Sequence, residues 1–393
     1  MHKRGKSNAI CTLHTNHTKK YYRTCLHTPF HWFIYIIFAK TFCFALSTFL
    51  QVKSLSMMNS SDPPFYEIYK TLIEEGLGKA QKPIIDKPSI IQECELPMID
   101  LSKLRLGGVE REECMEDIAK ASREWGFFQV MNHGIPMEVL EEIRLEEVNV
   151  FQRPFVEKIG EKFLNLSPGS YRWGTPSATC IHQLSWSEAL HISLEDISGS
   201  LTGTPLSSTV EQYSELVLKL AQKLAEILAE KLGYKSTFFQ ETCVPSSCYL
   251  RMNRYPPCPI SPGLFGLMPH TDSDFLTILS QDEVGGLQLV KDGKWIAVKP
   301  NPQALVINIG DFFQAWSNGI YKSVEHRVVA NEHAERFSTA FFVCPIKDAV
   351  IQICGEPPKY RPFSYQEYRR QVHKDVKNLG QKVGLARFLV GAT

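Results

Sequence analysis

Apolar residues recur with one spacing in the first part of the chain and another in the second, and the change divides it. Between Arg111 and Glu124 they fall every three or four positions, at Cys114, Met115, Ile118 and Ala119 with the small Ser122, which predicts a helix with one buried face. A second helix is predicted from about Met137 to Phe151. Ser208-x-x-Glu211 reads as a capping box, in which a hydroxyl and a carboxylate satisfy the free N–H groups of a helix start. The helix it opens carries Tyr213, Leu216, Val217, Leu220, Leu224, Ile227 and Leu228 on one face and stops at Gly233. Leu96–Leu101 and the stretch from Trp125 to Pro136 interrupt the helices as short strands, the second running into a Gly/Pro turn.

From Cys248 the spacing shortens to two. Strands are predicted over Cys248–Tyr255, Phe275–Ser280, Leu287–Val290, Trp295–Val298, Ala304–Ile309, Ser323–Val329 and Phe337–Val343. Gly285-Gly286, Asp292-Gly293 and Asn318-Gly319 mark turns between them. Even spacing with such punctuation points to a sandwich or jelly roll. Ser364-x-x-Glu367 then starts a last, polar helix. The expected organisation is α+β, mainly β: an N-terminal stretch 1–56, a helical region 57–246, a jelly-roll domain 247–350 and a C-terminal helical segment 351–393.

Charge changes the picture only at the N-terminus. The whole chain of 393 residues carries a net +1, which gives no nucleic-acid footprint. Residues 1–56, however, hold eight Lys/Arg and no acid, which leaves 35 basic against 42 acidic residues in the remainder. Trp32–Val52 is mostly apolar and long enough to span a bilayer, but Lys40 sits in its middle. A signal anchor or organellar transit segment fits this stretch; a secretory signal peptide does not, because the leader before the apolar run is too long. The reading preferred is that the native chain starts at Met57 or Met58, that residues 1–56 are a gene-model artefact, and that the protein is a cytoplasmic monomer. Membrane association is expected only if residues 1–56 are real. The eleven cysteines are scattered without a C-x-x-C pair, as reduced thiols would be.

The candidate chemistry centres on His270-Thr271-Asp272, which leads into the strand pattern from Phe275. Side chains two apart on a strand point the same way, so His270 and Asp272 are expected to aim an imidazole and a carboxylate at one point. Such a pair is worth little alone, since His373-Lys374-Asp375 repeats it in a charged helical stretch where the side chains diverge and a solvated surface is expected. The first pair gains weight from His326, on a strand-like run with Val324 and Val328, although a buried-strand His is more often a core residue than a ligand. His333 lies in a turn and is expected to face solvent. Two histidines and a carboxylate with open positions suit non-haem Fe(II). Arg336 and Ser338 then share a strand face and suit a carboxylate, with a planar fork for two bonds and a hydroxyl for a third. The bland alternative for that pair is a surface arginine at a strand end.

In this order the motifs resemble the plant 2-oxoglutarate/Fe(II)-dependent dioxygenases. Trp125-Gly126-Phe127-Phe128-Gln129-Val130-Met131-Asn132-His133-Gly134 and Asn253-Arg254-Tyr255-Pro256-Pro257-Cys258 resemble two further signatures of that superfamily. Tyr171-Arg172-Trp173-Gly174, Leu184-Ser185-Trp186-Ser187-Glu188-Ala189 and His270-Thr271-Asp272-Ser273-Asp274 resemble, more narrowly, gibberellin 2-oxidases of the subgroup acting on twenty-carbon gibberellins. The resemblance implies a double-stranded β-helix core, Fe(II) held by His270, Asp272 and His326, and 2-oxoglutarate held by Arg336 and Ser338 with help from Asn253 and Tyr255. It also implies O2 as oxidant, stimulation by ascorbate, and C-2 hydroxylation of a gibberellin with release of succinate and CO2. A rigid apolar acid needs an aromatic cavity with one or two cations, for which Tyr171, Arg172, Trp173, Trp186, His191 and Phe341 are candidates. Three rivals stay open: the same chemistry on a flavonoid or another hormone, a non-catalytic cupin-like binding protein, and a zinc hydrolase. The last two leave Arg336 and Ser338 without a task.

Overall fold

The 3.6-residue pattern after Gly203 forms the longest helix among the described residues, Pro205–Glu230. It starts three residues before the expected Ser208. Thr204 is the cap, its hydroxyl accepting the N–H of Ser207 at 3.1 Å, and Pro205 fills the first turn where no N–H is needed. Ser208 instead donates to the Pro205 carbonyl at 2.9 Å. The predicted apolar face is buried, and it packs on the Gly108–Glu124 and Met137–Phe151 helices. The computed structural model describes residues 60–79, 91–199, 203–235, 237–260 and 264–391. The apolar stretch Trp32–Val52 and the alternative starts Met57 and Met58 lie outside the described residues. Among the described residues no helix is long and apolar enough to cross a membrane.

Thirteen strands follow in chain order among the described residues. They are β1 (Glu93–Cys94), β2 (Met98–Asp100), β3 (Phe127–Met131), β4 (Tyr171–Trp173) and β5 (Glu188–Ser193), then β6 (Tyr249–Tyr255), β7 (Phe265–His270), β8 (Leu276–Gln281) and β9 (Leu287–Lys291). The last four are β10 (Lys294–Val298), β11 (Leu305–Ile309), β12 (His326–Val329) and β13 (Arg336–Val343). They build two sheets: an eight-stranded one in the order β2-β3-β11-β8-β13-β6-β5-β4, and a five-stranded one in the order β1-β10-β9-β12-β7. One face of the larger sheet packs against the Met137–Phe151 and Pro205–Glu230 helices.

Strand β7 was not legible, because Gly266 and Pro269 break its pattern. Both have a place here. β7 is the edge of the five-stranded sheet, where a missing N–H is tolerated. At Gly266 a Cβ would sit 2.5 Å from the Tyr255 ring. The predicted strand Ser323–Val329 shrinks to His326–Val329, leaving Val324 outside the ladder. The Asp292-Gly293 turn forms as expected, with φ of 50° and 74°, and joins β9 to β10.

The C-terminal helix Tyr365–Leu379 begins at its predicted cap, Ser364, whose Oγ accepts the Glu367 N–H at 3.1 Å. His373 on it is exposed, but Asp375 is buried and bonded by Gln371 at 2.9 Å and Arg387 at 3.1 Å, so the second His-x-Asp is not the solvated pair expected. This segment closes on the loop between β7 and β8. Tyr365 donates to Asp274, Tyr368 donates to Asp311, and Lys382 reaches the Thr271 carbonyl at 2.8 Å and the Ser273 hydroxyl at 3.1 Å. The same loop is braced from β11's end, where Gly310 N–H donates to Phe275 O at 2.8 Å and Asp311 N–H to Asp272 O at 2.9 Å.

That brace leaves no space for a side chain, since a Cβ on Gly310 would lie 1.9 Å from the Asp274 carbonyl oxygen. Gly310→Ala is expected to lower stability by about 3 kcal/mol in urea unfolding, through backbone displacement. A second expectation concerns Glu147, which is buried on the Met137–Phe151 helix and accepts the Asn253 N–H at 3.1 Å. Burial pushes its carboxyl up to about 8, against that bond and the field of Arg336. The folded chain therefore keeps a proton that the unfolded chain releases above its ordinary value of 4.5. The resulting stability is complete below that value and is lost as pH rises through about 8. Glu147→Gln mimics the protonated form, so its stability relative to wild type should improve by about 4 kcal/mol between roughly pH 5 and pH 9. A pH-independent difference in unfolding free energy would contradict this.

Candidate active site

His270 is the last residue of β7 and His326 the first of β12, and the two are cross-strand partners in the five-stranded sheet. Each ring is oriented by its own backbone: His270 Nδ1 meets the Met268 carbonyl at 2.8 Å and His326 Nδ1 the Val324 carbonyl at 3.0 Å. A carbonyl only accepts, so both Nδ1 atoms carry the hydrogen and both Nε2 atoms present a lone pair. Asp272 is not on a strand, contrary to the expectation from its spacing. It sits in the loop that carries the chain from the smaller sheet to β8 of the larger one, and the turn, not strand alternation, brings it beside His270.

The Asp272 carboxylate is divided in use. Oδ2 accepts from Thr277 Oγ1 at 2.6 Å and from Asn308 Nδ2 at 2.8 Å. Oδ1 faces the two imidazoles, 3.6 Å from His270 Nε2 and 3.8 Å from His326 Nε2. One ligand atom from each residue lies within 4.8 Å of the others. Burial opposes the Asp272 charge, but the fields of His326 and His270 and the hydrogen bonds hold its carboxyl well below the usual range. Burial and the neighbouring His270 push His326 down to about 4. Two imidazoles and one carboxylate that converge on one point fit a divalent metal.

Arg336 is buried, as the first residue of β13. Its Nη1 donates to Ser338 Oγ at 3.2 Å and its Nη2 to Gln281 Oε1 at 2.9 Å, and the guanidinium lies 4.9 Å over the Tyr255 ring. Nε has no partner, and no carboxylate among the described residues pairs with the cation. A buried guanidinium served only by neutral groups fits an anionic ligand. Asn253 is committed to the fold: it bonds the Ser338 carbonyl at 3.2 Å and accepts from Arg251 Nε at 2.8 Å.

The metal cluster, Thr277, Asn308, Arg336, Ser338, Tyr255 and Asn253 all line one cavity of about 360 Å³. It is walled by one face of the larger sheet, where Arg336, Ser338, Ala340 and Phe342 alternate along β13. Of the candidates for the substrate, Arg172 and His191 line it. Phe341 does not; it points to the opposite, helix-covered face, and Phe342 takes the position expected for it. Tyr171 donates to Glu188 and packs edge-on against Phe163. Trp173 and Trp186 belong to a separate apolar cluster with Phe65 and Tyr69, Trp186 stacking on Phe65 at 4.5 Å. Thr277, Asn308, Gln281, Tyr249, Arg251 and Arg369 were not picked out from the sequence. Arg251 could have been found two residues before Asn253 by strand alternation. Nothing local marks Arg369, because helix docking brings it to the cavity.

The family model for the 2OG-Fe(II) oxygenase superfamily matches residues 246–345, and that for the non-haem dioxygenase in morphine synthesis N-terminal region matches residues 96–208. Gibberellin 2-beta-dioxygenase 8 of Arabidopsis thaliana is 60% identical over 84% of this chain and 98% of its own. Gibberellin 2-beta-dioxygenase 5 of Oryza sativa subsp. japonica is 48% identical over 84% of this chain and 97% of its own. The crystal structure of JOX2 in complex with 2OG, Fe and JA matches with a TM-score of 0.61 at 35% identity, over 72% of this chain and 87% of that one. Rice dioxygenase for auxin oxidation matches with a TM-score of 0.63 at 32% identity, over 75% of this chain and 100% of that one. The fold is the jelly-roll core with flanking helices that these oxygenases share, and Fe(II) and 2-oxoglutarate are the cofactor and co-substrate that go with it. On identity that runs nearly the whole length of its relatives, the chain belongs to the gibberellin 2-beta-dioxygenases of the 2-oxoglutarate/Fe(II) oxygenase superfamily.

Proposed function

We propose that this protein hydroxylates gibberellins at C-2, and that it takes twenty-carbon gibberellins. One observation carries the reaction class: a buried guanidinium without an acid partner and a His-Asp-His cluster open into the same cavity. The substrate rests on the names of the relatives that are 60% and 48% identical. In this reading His270, Asp272 and His326 hold Fe(II), while Arg336 and Ser338 hold the distal carboxylate of 2-oxoglutarate. When bound, the metal and the 2-oxo acid together let O2 oxidise an unactivated C–H bond, giving alcohol, succinate and CO2.

The chain's own part is positioning. Thr277 and Asn308 occupy one oxygen of Asp272, so a metal held here would have only the other carboxylate oxygen to use. The backbone bonds to both Nδ1 atoms aim the imidazoles, and Phe127 packs edge-on against His326 at 5.2 Å. Gln281 and Ser338 turn the Arg336 fork, and Tyr255 shields it from water. Asn253 and Tyr255 act through this anchor and not on the substrate. The reading also takes the protein to be a cytoplasmic monomer.

Incubation with Fe(II), 2-oxoglutarate, ascorbate and a gibberellin panel is expected to give products heavier by one oxygen, with the new hydroxyl at C-2. Products from some other acid and from no gibberellin would overturn the substrate and keep the reaction class. Asp272→Ala should abolish gibberellin-dependent succinate formation and the visible band that Fe(II) and 2-oxoglutarate give without O2; turnover by that variant would sink the metal assignment. Arg336→Gln should raise the KM for 2-oxoglutarate by about 10- to 100-fold, the loss of a charge-assisted pair, with Fe(II) still bound.

A further inference from the structure

We infer that Arg251, Arg369 and Arg172 form a second anion pocket in the cavity, opposite in position to Arg336, and that it receives the carboxylates of a dicarboxylic gibberellin. The inference rests on the gibberellin reading above and names what selects among gibberellins. Three elements bring the cations together. On the cavity face of the larger sheet Arg251 lies directly across from His191, and Arg172 across from Ala189, two residues along β5 from His191. Arg369 arrives on the C-terminal helix Tyr365–Leu379 and lines the same cavity.

The pocket is well separated from the co-substrate anchor. Arg336 pairs with Tyr255 across β13 and β6, and Arg251 lies four residues further along β6. At about 3.3 Å per residue the backbone positions of the two anchors are roughly 13 Å apart along the cavity wall.

Two of the three arginines, Arg172 and Arg251, have no acid partner among the described residues. Arg172 gives Nε to the Gly169 carbonyl at 2.9 Å, Arg251 gives Nε to Asn253 Oδ1 at 2.8 Å, and neither bond is to an acid. Asp274 is in the same cavity and its field reaches Arg369, but its oxygens are taken by Tyr249 at 3.2 Å, Cys344 at 3.2 Å and Tyr365. The floor between the cations is aromatic: His191 lies 4.3 Å from Tyr249, which stacks on Phe342 at 4.5 Å. Burial and the fields of Arg251, Arg172 and Arg369 push His191 down to about 4, so it adds no charge. An apolar floor rimmed by three cations suits a rigid hydrocarbon with more than one carboxylate. Twenty-carbon gibberellins keep as a free acid the carboxyl that nineteen-carbon ones have closed into a lactone. The two arginines that face no acid are thus matched by the two carboxylates of the diacid, and one of them is left without a partner by the lactone.

The test is calorimetric binding to the full chain loaded with Fe(II) and 2-oxoglutarate in the absence of O2. The ligands are a twenty-carbon gibberellin diacid and its dimethyl ester. Wild type is expected to bind the diacid about 100-fold more tightly than the ester, the worth of two charge-assisted contacts. In Arg251→Gln/Arg369→Gln the ratio should fall to about 5-fold or less, with the ester bound as before. Arg251→Lys/Arg369→Lys keeps the charge without the planar fork and should retain an intermediate ratio. Equal binding of acid and ester by wild type, no binding of the diacid, or a full ratio in the Gln variant each overturns the pocket. The gibberellin reading is judged separately, by whether aerobic wild type forms C-2 hydroxylated product. A chain that turns over gibberellin without discriminating acid from ester refutes the pocket and leaves that reading intact.

Discussion

The centre depends on which oxygen of Asp272 is left unoccupied. Thr277 and Asn308, the two donors that occupy Oδ2, are themselves a cross-strand pair of β8 and β11. His270 and His326 are a cross-strand pair of β7 and β12 in the other sheet. The cluster is therefore a meeting of one pair from each sheet, with Asp272 on the only loop that runs directly from β7 to β8. Either sheet alone supplies half of the geometry. On the larger sheet's side, Thr277 and Asn308 give the buried carboxylate the hydrogen bonds that make its burial tolerable.

The same larger sheet separates chemistry from stability by parity. Along β13 the even-numbered residues from Arg336 to Phe342 face the cavity, while Phe337 and Phe341 face the helices in the main core. Polar groups that would be costly in a core are collected on one side, and a cation without an acid can persist there because a bound anion completes it. Below that surface, on the helix side, a second buried network runs through Lys158, Glu188 and Arg254. Arg254 pairs with Glu188, Glu335 and Asp62, each at 2.8 Å, and so ties the start of the described chain to the sheet.

Much of this was legible in sequence because it is local. Helix faces, the Ser364 cap, the Asp292-Gly293 hairpin and most strands of the jelly roll follow from periodicity and turn chemistry over a few residues. The metal cluster was legible by composition and order, yet for a partly mistaken reason, since Asp272 owes its aim to a loop. What stayed hidden is tertiary. β7 carries a glycine demanded by the Tyr255 ring and a proline tolerated at a sheet edge, neither visible without its neighbours. Trp173 and Trp186 have the composition of a ligand cage, but Phe65 and Tyr69 from a distant helix claim them for packing. Phe341 differed from Phe342 only by parity, which one residue of register reverses.

The C-terminal closure has a consequence for how the centre is made. Asp274 takes its Tyr365 bond from 91 residues downstream, and Thr271 takes its Lys382 bond from 111 residues downstream. Synthesis proceeds from the N-terminus, so His270 and Asp272 leave the ribosome long before the segment that fastens their loop. For that interval Asp274 lacks its Tyr365 donor and Asp311 its Tyr368 and Lys382 donors, and the loop is held by its β11 brace and by Tyr249 and Cys344. A message truncated after the last strand would encode every ligand and still yield a chain whose centre is unfastened.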